Sequence, residues 1–145
     1  MIKTIFYFHG FASSSQSGKA KLFKKYISSK RNIEILVPDL NNNFEDAINE
    51  INNLINSNIK PMAFVGSSLG GYYAAYFSSL HKTKAILINP AIPPLSGFDV
   101  YLGENENYST GEKFNITKAD INFIRSISYK KYPNKENTLV FLESG

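Results

Sequence analysis

Gly66-Ser67-Ser68-Leu69-Gly70 spells G-x-S-x-G, the spacing that sets a serine hydroxyl on a sharp turn between a strand and a helix. A serine held there can attack an acyl carbonyl and carry the acyl group as an ester intermediate. Alone the pentapeptide says little, because small residues meet by chance in loops and a glycine turn can hold an incidental serine. Its setting sharpens it. The β-rich run Ala63-Phe64-Val65 precedes it and a helix-period run beginning at about Leu69 follows. Gly66 and Gly70 keep side chains out of a turn too tight to hold them, and Gly71 lets the helix approach the sheet. The turn also presents Ser68 at a helix N-terminus, where free amides favour developing negative charge.

A second cluster is His9-Gly10-Phe11, directly after the first apolar run. If that run pairs with the strand leading to Ser68, the loop after it offers a backbone amide, that of Phe11, to a substrate oxyanion. The amide of Leu69 is the second donor, and losing one such donor costs about 10²–10³ in turnover. His9 invites a reading as catalytic base, but shaping the loop or lining the pocket, together with Gly10, is the favoured one. Tyr72 follows Ser68 closely enough to flank the pocket, although Tyr72, Tyr73 and Tyr76 read first as core residues. His81 comes a dozen residues after the nucleophile on the same helix and reads as a surface residue. Asp39 after Pro38 reads as a turn or cap residue before a pocket one. Glu104 and Glu106 could form a carboxylate pair for acid/base work, but their alternation with Asn105 and Asn107 more simply suggests a hydrogen-bonded loop near the mouth of the site.

The elements that must position these residues alternate β-rich and helix-period runs, which argues for parallel strands joined by crossover helices. Strands are expected at about 3–8, 33–37, 62–65, 85–88 and 138–142, a mostly parallel five-stranded sheet. Helices are expected at about 17–29 (Ala20, Phe23, Tyr26 and Ile27 on one face), from Phe44, from Leu69 (Tyr72, Tyr73, Tyr76, Phe77 and Leu80 packed on most sides), and at 117–128 with Thr117 as N-cap. Residues 89 to about 114 lose this regularity and read as a functional loop or lid.

The 145 residues make one domain, with 43% hydrophobic and 19% charged residues. No cysteine is present, which excludes disulfides, thiolate metal sites and cysteine nucleophiles. A net charge of +4 is modest, and Lys19, Lys21, Lys24, Lys25, Lys30 and Arg31 lack the interleaved aromatics of a single-strand nucleic-acid surface. They read as a solvated helix face, with an anion-attracting surface as the alternative. No apolar run approaches the ~18 residues of a membrane span, so no membrane partner and a cytoplasmic location are expected. Neither G-x-G-x-x-G nor a phosphate-binding G-x-x-x-x-G-K-[ST] occurs, which argues against a nucleotide-binding domain.

Several blocks together resemble the YqiA-like small esterases of the α/β-hydrolase superfamily. They are His9-Gly10-Phe11 with its following serines, the run from Gly66 to Ala74, Asn89-Pro90-Ala91, and Tyr101-Leu102-Gly103-Glu104-Asn105-Glu106-Asn107 continuing to Thr110-Gly111. The likeness runs over the whole chain. It implies a three-layer α/β-hydrolase sandwich, no metal or organic cofactor, and hydrolysis of a small-molecule acyl ester of short chain or a thioester. It carries Ser68 over as nucleophile and Phe11 and Leu69 as oxyanion donors. Members of that family continue for some tens of residues past this sequence, and their catalytic acid and histidine lie there. The resemblance therefore implies a domain lacking its final strand and helix, impaired in turnover, whose strand at 138–142 is an exposed edge open to self-association. Glu143 as a substitute acid would have no base to orient. The alternative function is a non-catalytic hydrolase-fold module that binds an acyl-like ligand or a protein partner.

Overall fold

Alternating large apolar side chains on both faces of one strand require a layer on each side of it, and this decides the architecture. In the computed structural model, which describes residues 1–30, 32–58 and 61–143, the first strand β1 (Thr4–Phe8) buries Phe6 and Phe8 on one face and Tyr7 on the other. Arg31 of the basic cluster, and Ser144 and Gly145, lie outside the described residues.

Helix α1 (Gly18–Ser28) starts where the Ser17 hydroxyl accepts the Ala20 amide at 3.2 Å. Its Ala20 and Phe23 pack with Tyr7 and Val65 on one side of the sheet. Strand β2 (Glu34–Leu36) pairs with β1. Helix α2 (Phe44–Asn56), strand β3 (Met62–Ser67), helix α3 (Leu69–His81) and strand β4 (Ala85–Ile88) follow as expected. Helix α2 buries Phe44, Ala47, Ile48, Ile51 and Ile55 at the spacing of one helical stripe. It joins α3 and α4 (Lys118–Ser126) on the face opposite α1, over Phe6, Phe8 and Phe64. Thr117 caps α4 reciprocally: its hydroxyl accepts the Asp120 amide at 3.2 Å, while Asp120 accepts the Thr117 amide at 2.8 Å. The main sheet has five parallel strands in the order β2-β1-β3-β4-β7, with β7 being Thr138–Phe141.

Three expectations are corrected. Residues 89–114 are not structureless: Gly103–Glu106 (β5) and Lys113–Ile116 (β6) form an antiparallel hairpin after a short 3-10 turn at Phe98–Tyr101. Its first strand is almost wholly polar, so hydrophobic alternation could not announce it. Tyr26 is 60% exposed, with the Lys30 ammonium over its ring at 4.7 Å, because the layer beneath α1 is narrow. Leu80 is likewise exposed at the last turn of α3. Among the described residues β7 forms one edge of the sheet, and Leu139, Val140, Phe141 and Leu142 are each more than half exposed. An unpaired strand edge of this kind is a template for pairing with another chain.

Candidate active site

Parallel pairing of β1 and β3 aligns Phe8 with Gly66, so the ends of the two strands deliver His9-Gly10-Phe11 and the Ser68 turn to the same edge of the sheet. Ser68 sits at φ 56°, ψ −119°, a conformation that an L-residue adopts only under constraint. The constraint is visible. Its amide donates to the Ile88 carbonyl at 3.0 Å, and its carbonyl accepts from Gly71 at 3.0 Å and Ala91 at 2.9 Å. Asn89-Pro90-Ala91 thus braces the turn from β4, and a Cβ on Gly71 would lie 2.8 Å from the Pro90 Cβ.

The other glycines answer to close approach. A Cβ on Gly66 would meet the Gly70 carbonyl oxygen at 2.0 Å, and one on Gly70 would meet the Phe8 carbonyl oxygen at 1.9 Å. Gly10 lies against the nucleophile itself: a Cβ there would be 3.5 Å from the Ser68 Cβ. Ser68 is exposed on this edge.

His9 is buried and both ring nitrogens are occupied. Nε2 accepts the Leu40 amide at 2.9 Å, which leaves the proton on Nδ1 to donate to the Gly10 carbonyl at 2.9 Å. A neutral imidazole engaged on both sides shapes the loop and has no lone pair left for Ser68. Burial holds its pKa below the ordinary 6.5. The unfolded chain therefore takes up a proton at about pH 6.5 that the folded chain resists, so this contribution to stability is present above pH 6.5 and is lost as pH falls below it. Denaturant midpoints measured at pH 7.5 and 5.5 should show the drop, and His9→Ala should remove this pH dependence. His9→Ala should also cost about 1–3 kcal/mol at neutral pH by leaving the buried Leu40 amide unpaired.

Phe11 and Leu69 line one small cavity with His9, Gly10, Leu40 and Tyr73, about 10 Å³ in volume and thus room for about one oxygen-sized group. Among the described residues, neither the Phe11 nor the Leu69 amide has a hydrogen-bond acceptor. Tyr72, expected to flank this pocket, is corrected: it turns into the core and donates its hydroxyl to the Ile124 carbonyl at 2.8 Å, and burial pushes its pKa up. Tyr73 takes the place beside the cavity, one position round the helix.

Asp39 accepts the Ser15 amide of the loop after β1 at 2.7 Å, and that bond holds its carboxyl below the usual carboxylate range. His81 ends α3, about 18 Å along the 13-residue helix from its first residue. Glu104 pairs with Lys113 at 3.7 Å on the exposed hairpin, and Glu143 pairs with Lys19 at 2.9 Å. Among the described residues no cluster of three or more His, Cys, Asp or Glu is arranged to hold a metal ion, and no helix is long and apolar enough to cross a membrane. Sequence reasoning placed Asn107 in a hydrogen-bonded loop near the site but missed its partner Asn42, to which it bonds at 2.9 Å beside the loop that carries Phe11. The one signal for Asn107 was its place in an alternating Glu/Asn run before a Thr-Gly turn.

The family model of the uncharacterised protein family UPF0227 matches residues 4–145. The chain belongs to this family. Solved structures similar to this UPF0227 chain include Est1E from Butyrivibrio proteoclasticus with ferulic acid bound, at TM-score 0.71 and 13% identity over 96% of this chain and 67% of that one. Alpha/beta hydrolase domain-containing protein 10 from mouse matches at TM-score 0.67 and 14% identity, covering 97% of this chain and 80% of that one. A structure described with LipS and LipT, two metagenome-derived lipolytic enzymes, matches at TM-score 0.64 and 13% identity, covering 97% and 83%. At such identities these likenesses establish the α/β-hydrolase fold.

Proposed function

We propose that the chain is a serine ester hydrolase acting on short-chain acyl esters or thioesters through an acyl-serine intermediate. The observation that carries this reading is the Ser68 turn: an exposed serine in a constrained conformation at the start of α3, with the Phe11 and Leu69 amides lacking acceptors among the described residues. Ser68 Oγ attacks the acyl carbonyl and its proton leaves to a base. The Phe11 and Leu69 amides hold the oxyanion, the alcohol or thiol departs, and water then releases the acid. The resemblance to YqiA-like esterases and the esterases among the similar structures support the choice of esters.

One observation favours a second reading, a non-catalytic module that binds an acyl-like ligand or a protein partner. His9 has both nitrogens engaged and His81 stands at the opposite end of α3, so neither histidine is placed to take the Ser68 proton. Slow turnover is therefore expected, near the residual ~10³–10⁴ over water that remains when a triad is incomplete. p-Nitrophenyl butyrate hydrolysis by the purified chain, with Ser68→Ala alongside, separates the readings. Turnover that disappears in Ser68→Ala supports the esterase. Equal rates in both proteins favour the binding module.

A further inference from the structure

The turn between β5 and β6 is exposed almost throughout, with Tyr108 at 86%, yet Asn107 within it is only 3% exposed. Its side chain uses every hydrogen-bonding position it has. Oδ1 accepts the amides of Ser109 at 2.9 Å and Thr110 at 3.0 Å, which closes the turn on itself. Nδ2 donates to the Ser13 carbonyl at 3.0 Å and to Asn42 Oδ1 at 2.9 Å. The next amide, that of Tyr108, donates to the Ala12 carbonyl at 2.8 Å, and the Ser109 hydroxyl bonds that of Ser14. Three consecutive residues after Phe11 are thus held by three consecutive residues of the hairpin turn.

Ala12 shows why a clamp is needed. It sits at φ 54°, in the left-handed region that a residue with a Cβ leaves unless its surroundings hold it there. If Ala12 relaxes, the Phe11–Ala12 segment swings and the Phe11 amide turns away from the cavity it shares with Leu69. The ring of Phe11 meets the same hairpin region, 4.3 Å from Tyr101 and 5.6 Å from Phe114 between centroids. From the other side Asn42 links the clamp to the loop whose Leu40 amide is bound by His9.

We infer that Asn107 is the positioning residue of the Phe11 amide, holding the loop after β1 in the shape that presents this amide to the oxyanion; the inference rests on the esterase reading above. Asn107 touches neither Ser68 nor the substrate. It acts through Ser13 and Ala12.

The decisive variant is Asn107→Asp. A carboxylate keeps both acceptor bonds that close the turn but loses the two donors, and it faces the Ser13 carbonyl and Asn42 Oδ1 with oxygen instead. Tyr108→Pro is the second variant. It removes the amide that donates to the buried Ala12 carbonyl, at an exposed position with negative φ, and sets a ring carbon in place of the N–H. Thr110→Ala is the control, weakening the same turn at its bond to the Glu112 amide with no bond to the Phe11 loop. Amide hydrogen exchange and p-nitrophenyl butyrate kinetics are read on each.

In Asn107→Asp, exchange at residues 15–17, whose amides bond Asp39 and Ser14, should quicken while that of the β5–β6 pairing stays as it was. The kcat should fall about tenfold to a hundredfold with KM nearly unchanged, less than the ~10²–10³ seen for losing an oxyanion donor outright, because the amide is displaced and not removed. Tyr108→Pro should move both in the same direction by less, and Thr110→Ala neither. Unchanged exchange at residues 15–17, or a kcat loss that Thr110→Ala reproduces, overturns the inference. A native chain without Ser68-dependent turnover sinks the esterase reading itself, whereas a native chain that turns over as fast as Asn107→Asp sinks this one alone.

Discussion

Ser68→Gly is expected to raise the thermal midpoint by about 3 °C while abolishing Ser68-dependent turnover. Ser68 at φ 56°, ψ −119° is the most strained residue of the site, and the turn keeps it there through backbone bonds to four neighbours: Ile88, Gly71, Tyr72 and Ala91. A residue with a Cβ in such a region costs about 1–3 kcal/mol, and glycine removes that cost. Glycine also gives up more chain entropy on folding, about 0.5–1 kcal/mol, so the net gain is about 1 kcal/mol. For a chain of this size that corresponds to roughly 2–4 °C. Ser68→Ala is the comparison: it loses the same turnover but keeps the Cβ, so its midpoint should stay at or below that of the native chain. Stability bought at the nucleophile and lost as activity is the signature of a turn strained for chemistry. A Ser68→Gly midpoint equal to that of Ser68→Ala would mean the turn carries no such strain.

Gly70→Ala is the second large effect, in the opposite direction. Its Cβ would stand 1.9 Å from the Phe8 carbonyl oxygen and 2.6 Å from that of His9. Both are backbone atoms at the end of β1, and neither can withdraw without pulling β1 away from β3, to which it is paired from Thr4 to Phe8. The cost should be about 3 kcal/mol or more, at the upper end of overpacking effects. The midpoint should then fall by roughly 10 °C, and turnover with it, since the start of α3 beside Ser68 is forced off the end of β1 that leads to the Phe11 amide. Gly18→Ala tests the reasoning within the same chain. No atom lies within 4 Å of a Cβ there and the residue begins α1, so alanine should be neutral or slightly stabilising. A thermal melt of the two variants decides the matter; equal midpoints would show that the Gly70 contact yields without cost.

The parts of the fold that could be read in advance are those ruled by local pattern. Apolar runs of strand length, the 3.6-residue stripe of α2 and the cap at Thr117 each depend on residues within a few positions of one another. The Ser68 turn was legible for the same reason: a five-residue sterically constrained turn needs its glycines in fixed places. The hairpin at β5 and β6 was not, because Gly103-Glu104-Asn105-Glu106 has no apolar alternation to report a buried face. Lys113-Phe114-Asn115-Ile116 does alternate, but four residues alone do not make a hairpin.

By itself, then, the sequence determined the alternating α/β order, the strand-turn-helix around Ser68 and the presence of a loop at His9-Gly10-Phe11. What the tertiary structure decided is which of these meet. That His9 spends both nitrogens on Gly10 and Leu40, that Tyr73 and not Tyr72 reaches the cavity, and that Asn107 grips Ser13 are outcomes of contacts between residues up to 94 positions apart. Local propensity acts over a turn or two of chain, whereas a buried polar side chain takes its role from whatever donors and acceptors the packed layers bring within about 3 Å of it.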